Sequence, residues 1–136
     1  MKLEIQNIHL KKVVEFLPTI ELAGRASRGK VKFLDKVAAK LQEFSTDFNE
    51  IKEGDSDEDK KNDEIIELVK ENAVISMDEY PQLMNAFFDA LENYEVALKD
   101  EDAVAYDVLL TAYESNNDLK DSVDDANKKV EVVNHD

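Results

Sequence analysis

Apolar residues recur at helical spacing through most of this chain. The clearest run is Leu34, Val37, Leu41, Phe44, Phe48 and Ile51, separated alternately by three and four residues. That alternation is an a/d seam about five helical turns long, and Phe33 beside it widens the seam to a face. The spacing predicts one long helix over about 27–52. Gly24 and Gly29 each cost about 1 kcal/mol relative to alanine in a helix interior, so the first turns are expected to be irregular or closely packed.

Shorter elements flank the long helix. Residues 1–6 alternate Leu3 and Ile5 with polar positions, the pattern of a short strand or an extended lead-in. Asn7 is placed to cap a helix to about Leu17, which Pro18 ends by disfavouring the helical region for the residue before it. Residues 53–63 carry no apolar side chain and predict a solvated loop. A third helix is expected over about 63–72, with Ile65, Ile66, Val69 and Ala73 apolar. Ser76 and Glu79 have the spacing of a capping box, opening a fourth helix to about Glu92. Tyr94, Val96 and Leu98 alternate as in a short strand. A fifth helix, capped by Asp100 or Asp102, reaches about Glu114. Beyond it, 118–128 reads as a short acidic helix, and 130–133 as a strand beside residues 2–6 or a frayed tail. The fold class is therefore mainly all-α. A helical bundle surrounds the long helix, with room for short terminal strands. One helical domain spans 1–115, followed by an acidic tail over 116–136.

Charge adds a direction to this layout. The net charge is −15, yet residues 1–40 hold nine bases against four acids, and the other 96 positions hold eight bases against 28 acids. A +5 start is joined to a −20 remainder. On a helical wheel Arg25, Arg28, Lys32, Lys36 and Lys40 form one stripe, and Lys30 adds a further base to the cluster off that line. Farther along, Glu43, Asp47 and Glu50 occupy the same line. This polarity opposes the helix macrodipole, at about 0.3–1 kcal/mol for each charge misplaced in a terminal turn. The stripe fits a solvated face paired with acidic neighbours in the same molecule. It also fits a docking surface for an acidic protein partner, another copy of the chain or a phosphate backbone. The apolar seam needs cover as well. Whatever the later helices leave uncovered is a surface for self-association or for a partner.

The candidate chemistries fail on spacing. Cysteine is absent, which excludes disulfides and thiolate metal sites. Asp55, Asp57 and Asp59 match the first three ligands of an EF-hand loop, but Lys60 stands where glycine is required and Ile66 where glutamate is required. The two histidines, His9 and His135, lie at opposite ends with no second ligand at metal spacing. Nucleophile elbows, phosphate-cradling glycine loops and dinucleotide fingerprints are missing. The reading is a non-enzymatic protein with no cofactor and no metal. No apolar run is long enough for a membrane helix, and the start of the chain lacks the apolar core of a signal peptide. Direct nucleic-acid binding through Arg25, Arg28, Lys30 and Lys32 would have to overcome repulsion from the acidic remainder.

Two stretches carry a resemblance. One runs from Leu22 through Arg25, Ser27, Arg28, Lys30 and Lys32 to Leu34. The other runs from Leu91 through Tyr94, Val96, Leu98, Asp102 and Tyr106 to Leu110. In layout, over roughly residues 1–115, the chain resembles a family of small uncharacterised helical proteins of tailed phages and prophages of Gram-positive bacteria. The resemblance implies a phage origin, a location in the cytoplasm of the bacterial host or in the virion, and a link to phage structural or assembly genes. It implies no catalytic residue.

The expected function is a phage interaction protein, in virion (tail) assembly or as a minor structural or accessory factor. The alternative is an acidic nucleic-acid mimic that blocks a host DNA-binding protein. That reading would use Asp55, Asp57, Glu58, Asp59, Glu64, Glu67 and Glu71.

Overall fold

The computed structural model describes the backbone of residues 2–131 and the side chains of residues 2–115. In chain order the elements are β1 (Lys2–Gln6), α1 (Leu10–Phe16), α2 (Gly24–Glu53), α3 (Glu58–Lys70), β2 (Asn72–Ser76), α4 (Pro81–Glu92) and α5 (Asp100–Glu131). Short 3-10 turns at Asn7–His9 and Leu17–Thr19 bracket α1. The architecture is mainly α-helical, with one two-stranded antiparallel sheet.

The sheet seals one side of the core. Alternation sends Leu3 and Ile5 inward from β1, and Ala73 and Ile75 inward from β2; their neighbours stay exposed. The strands pair Leu3 with Ile75 and Ile5 with Ala73. The Asn7 amide extends that register by donating to the Glu71 carbonyl at 2.8 Å. Asn7 does not cap α1. Its Nδ2 donates to the Leu68 carbonyl at 2.9 Å, and Gln6 Nε2 donates to the Lys70 carbonyl at 3.3 Å. The side chains of Gln6 and Asn7 thus add hydrogen bonds to carbonyls in the last turn of α3.

β2 replaces two sequence expectations. The third helix ends at Lys70, and Ala73, Ile75 and Met77 are buried at alternate positions. Period two therefore governs this segment, and Ala73 belongs to a strand face. Ser76 closes β2 and opens no helix: its Oγ accepts from the Asp78 amide at 3.3 Å, and α4 starts at Pro81 with no side-chain cap. Among the described residues the partner of β1 is β2. Val130 and Glu131 belong to α5, and residues 132–136 lie outside those described. The expected strand at 94–98 is an irregular connection between α4 and α5. The fifth helix, expected to end near Glu114, continues to Glu131.

The loop after α2 is shorter than its composition suggests. Only residues 54–57 separate α2 from α3. The Asp57 side chain accepts from the Lys60 amide at 2.8 Å, and Glu58 and Asp59 occupy the first turn of α3, where negative charge suits the helix dipole. A caps-first rule would have found this start; a run of charge obscured it.

Helix α2 spans 30 residues, about 45 Å at 1.5 Å per residue. Its buried residues, Gly29, Phe33 and Val37, all lie in its first half. At Gly29 the helix crosses α4 so closely that an added Cβ would overlap the Leu83 carbonyl oxygen and stand 2.9 Å from Phe87 Cβ. This contact lets Phe33 reach Phe87 and Phe88, with ring centroids 5.5 and 5.3 Å away, and Phe88 stacks on Tyr113 of α5 at 4.4 Å. The core therefore binds α2 along Gly29–Phe33–Val37, a line beside the a/d seam. Within the seam Val37 is buried, and Leu34, Leu41 and Phe44 are half-buried against the core. Phe48 and Ile51 are half-buried farther along, where α3 folds back on α2.

Candidate functional site

The basic stripe lies along the first half of α2, and its members have different surroundings. Lys30 Nζ donates to the Ile20 carbonyl at 2.7 Å, tying the start of α2 to the connection that precedes it. Lys32 Nζ sits 4.8 Å from the centre of the Tyr80 ring, within cation–π range. Lys36 Nζ lies 3.1 Å from a Glu79 carboxylate oxygen, with side chains 26% and 62% exposed. Lys40 Nζ lies 3.8 Å from Glu43, one helical turn ahead. Four of the six cations thus have partners within the molecule. Each contact is worth little in solvent, about 1 kcal/mol or less for an exposed ion pair. Together they fasten the segment around Tyr80 and the 20–23 connection to the face of α2.

Arg25 and Arg28 differ from these four. Both are exposed, and neither makes a hydrogen bond or ion pair among the described residues. They sit where α2 begins. Gly24 enters the helix with φ +60°, a left-handed conformation that glycine adopts without a Cβ penalty. Ala23, in the cap position, offers no side-chain acceptor, and the first turn contains no acid. The uncapped amides and the helix dipole therefore add positive potential to that of the two guanidinium groups. Val31, one turn on, is 51% exposed beside them. Lys36 and Lys40 thus have carboxylate partners within the molecule, and Arg25 and Arg28 have none among the described residues.

The second half of α2 carries Glu43, Asp47 and Glu50 on exposed positions. The hairpin tip adds Glu53, Asp55, Asp57, Glu58 and Asp59, all exposed. Lys61 Nζ donates to the Lys52 carbonyl at 2.9 Å, and Lys52 Nζ lies 5.8 Å from the Phe48 ring centre. These two lysines are held against the helix bodies. The charge gradient inferred from the wheel is therefore real in space: exposed arginines at one end of α2, exposed carboxylates at the other.

One concavity was not legible in the sequence. A cleft of about 820 Å³ lies between β1 and α5, lined by Lys2, Glu4, His9, Asp107 and Thr111 among others. Its walls come from segments about a hundred residues apart, so no local pattern could announce it. Among the described residues His9 Nδ1 is buried there without a hydrogen-bond partner, while Glu4 accepts from Asn72 Nδ2 at 3.0 Å. Charges of both signs line the cleft. Among the described residues no group of three or more histidines, aspartates or glutamates is placed to hold a metal ion. Within the same residues no helix is long and apolar enough to cross a membrane. Comparison with protein-family models, with curated proteins and with solved structures finds no match to the chain.

Proposed function

We propose that this chain is a non-enzymatic interaction protein of a phage or prophage. It serves virion (tail) assembly, or acts as a minor structural or accessory factor, in the bacterial host cytoplasm or within the virion. It docks a protein partner through the start of α2. The observation that carries this reading is the contrast within the basic stripe: Lys30, Lys32, Lys36 and Lys40 are engaged internally, while Arg25 and Arg28 stand exposed beside an uncapped helix start. Bidentate arginines suit carboxylate recognition better than lysines do, because their fork matches the two oxygens. The phage assignment rests on the resemblance of residues 22–34 and 91–110, and the neighbouring genes test it directly.

The experiment is affinity purification from infected or lysogenic cells, comparing the wild type with an Arg25→Glu/Arg28→Glu variant. A specific partner recovered by the wild type and lost by the variant, with unchanged circular dichroism, is the expected result. Equal recovery by both proteins would refute the docking role. The nucleic-acid mimic is less favoured, because Asp57, Glu58 and Asp59 already have a local role at the start of α3. A host DNA-binding protein whose recovery survives the arginine reversal, but is lost on neutralising Glu64, Glu67 and Glu71, would move the assignment to it.

A further inference from the structure

We infer that the occupant of the Arg25–Arg28 surface is the acidic α2–α3 hairpin tip of a second copy of this chain. The inference rests on the docking role proposed above and goes beyond it by naming the partner. Charge complementarity and distance carry the argument. The arginines and the tip lie at opposite ends of one helix, about 45 Å apart, so they cannot meet within one molecule. The basic end offers two exposed guanidinium groups and the open amides of an uncapped helix start. The acidic tip offers Glu53 and Asp55, exposed and outside the cap of α3, next to Asp57, Glu58 and Asp59. From Lys52 to Lys61 the tip carries five acids, Glu53, Asp55, Asp57, Glu58 and Asp59, against three bases, Lys52, Lys60 and Lys61. The tip therefore faces solvent with excess negative charge. Between the two ends the exposed residues are the uncharged Ala38, Ala39, Gln42, Thr46 and Asn49 together with the acids Asp35, Glu43 and Asp47, and Lys36 and Lys40 stand half-buried among them. Two copies laid antiparallel make the contact twice and close as a dimer, the commonest symmetric solution.

Charge exchange tests this. Glu53→Lys/Asp55→Lys leaves the α3 cap intact and places cations at the end of α2, where the dipole favours them. Arg25→Glu/Arg28→Glu reverses the other end. In sedimentation velocity at low salt the wild type should associate, and raising NaCl to about 0.5 M should weaken association about tenfold or more, because these contacts are exposed and screened. Each reversed variant alone should remain monomeric. An equimolar mixture of the two should associate again, since its ends are complementary. A monomeric wild type at millimolar concentration and low salt overturns the inference, and so does self-association of both variants at the wild-type level. A monomeric wild type that still loses its cellular partner on arginine reversal leaves the docking role standing and removes only the second copy.

Discussion

Gly29→Ala probes the contact on which the core depends. The new Cβ would overlap the Leu83 carbonyl oxygen and stand 2.9 Å from Phe87 Cβ. Leu83 lies in the first turn of α4, so its carbonyl is backbone and cannot rotate away as a side chain would. The helices must separate, and the ring contacts of Phe33 with Phe87 and Phe88 loosen with them. Overpacking of this kind costs about 1–3 kcal/mol. Alanine returns about 0.8–1.0 kcal/mol of helix propensity relative to glycine. Because the obstacle is rigid, the cost should sit in the upper part of its range, for a net loss of about 1–2 kcal/mol. In a domain of this size that lowers Tm by about 3–8 °C. Urea unfolding followed by circular dichroism at 222 nm measures it. Ala38→Gly, at an exposed position of the same helix, calibrates the propensity term alone at about 1 kcal/mol. If Gly29→Ala unfolds at the same urea concentration as the wild type, or higher, the close crossing of α2 and α4 is wrong.

Three other substitutions test separate parts of the structure. Asp57→Ala removes the acceptor for the Lys60 amide and should cost about 1 kcal/mol in urea unfolding, whereas Asp55→Ala, outside the cap, should be near neutral. Tyr106 donates from its hydroxyl to the Leu91 carbonyl at 2.8 Å, and burial, then Glu92 and Glu114, push its phenol pKa upward. A raised folded pKa means that the native state holds its proton where the unfolded chain has lost it. Its contribution is full below about pH 10 and is lost as pH rises through the folded value. Tyr106→Phe should cost about 0.5–1.5 kcal/mol at neutral pH and flatten the alkaline loss of stability; an unchanged alkaline slope would refute the assignment. Glu79→Gln removes the charged partner of Lys36, and thermal unfolding should change by less than about 1 kcal/mol.

Periodicity alone determined much of this protein. The seam from Leu34 to Ile51 announced the long helix, because 3.6-residue geometry writes itself locally on the chain. The alternation of Leu3 and Ile5 announced β1 in the same way, and the wheel placed basic and acidic charge at opposite ends of α2. Tertiary structure decided the rest. Ala73 and Ile75 became a strand because β1 offered a partner 70 residues away in sequence, and local propensity holds no record of that partner. Phe33, rather than the seam proper, entered the aromatic cluster because the missing Cβ of Gly29 lets α4 cross there. Lys30, Lys32 and Lys36 contact Ile20, Tyr80 and Glu79, two of which lie more than 40 residues away. A helical wheel assigns each residue an angle on its own helix but says nothing of what packs against that angle. Of the six basic residues read from the sequence, four have contacts in the fold, and Arg25 and Arg28 have none among the described residues.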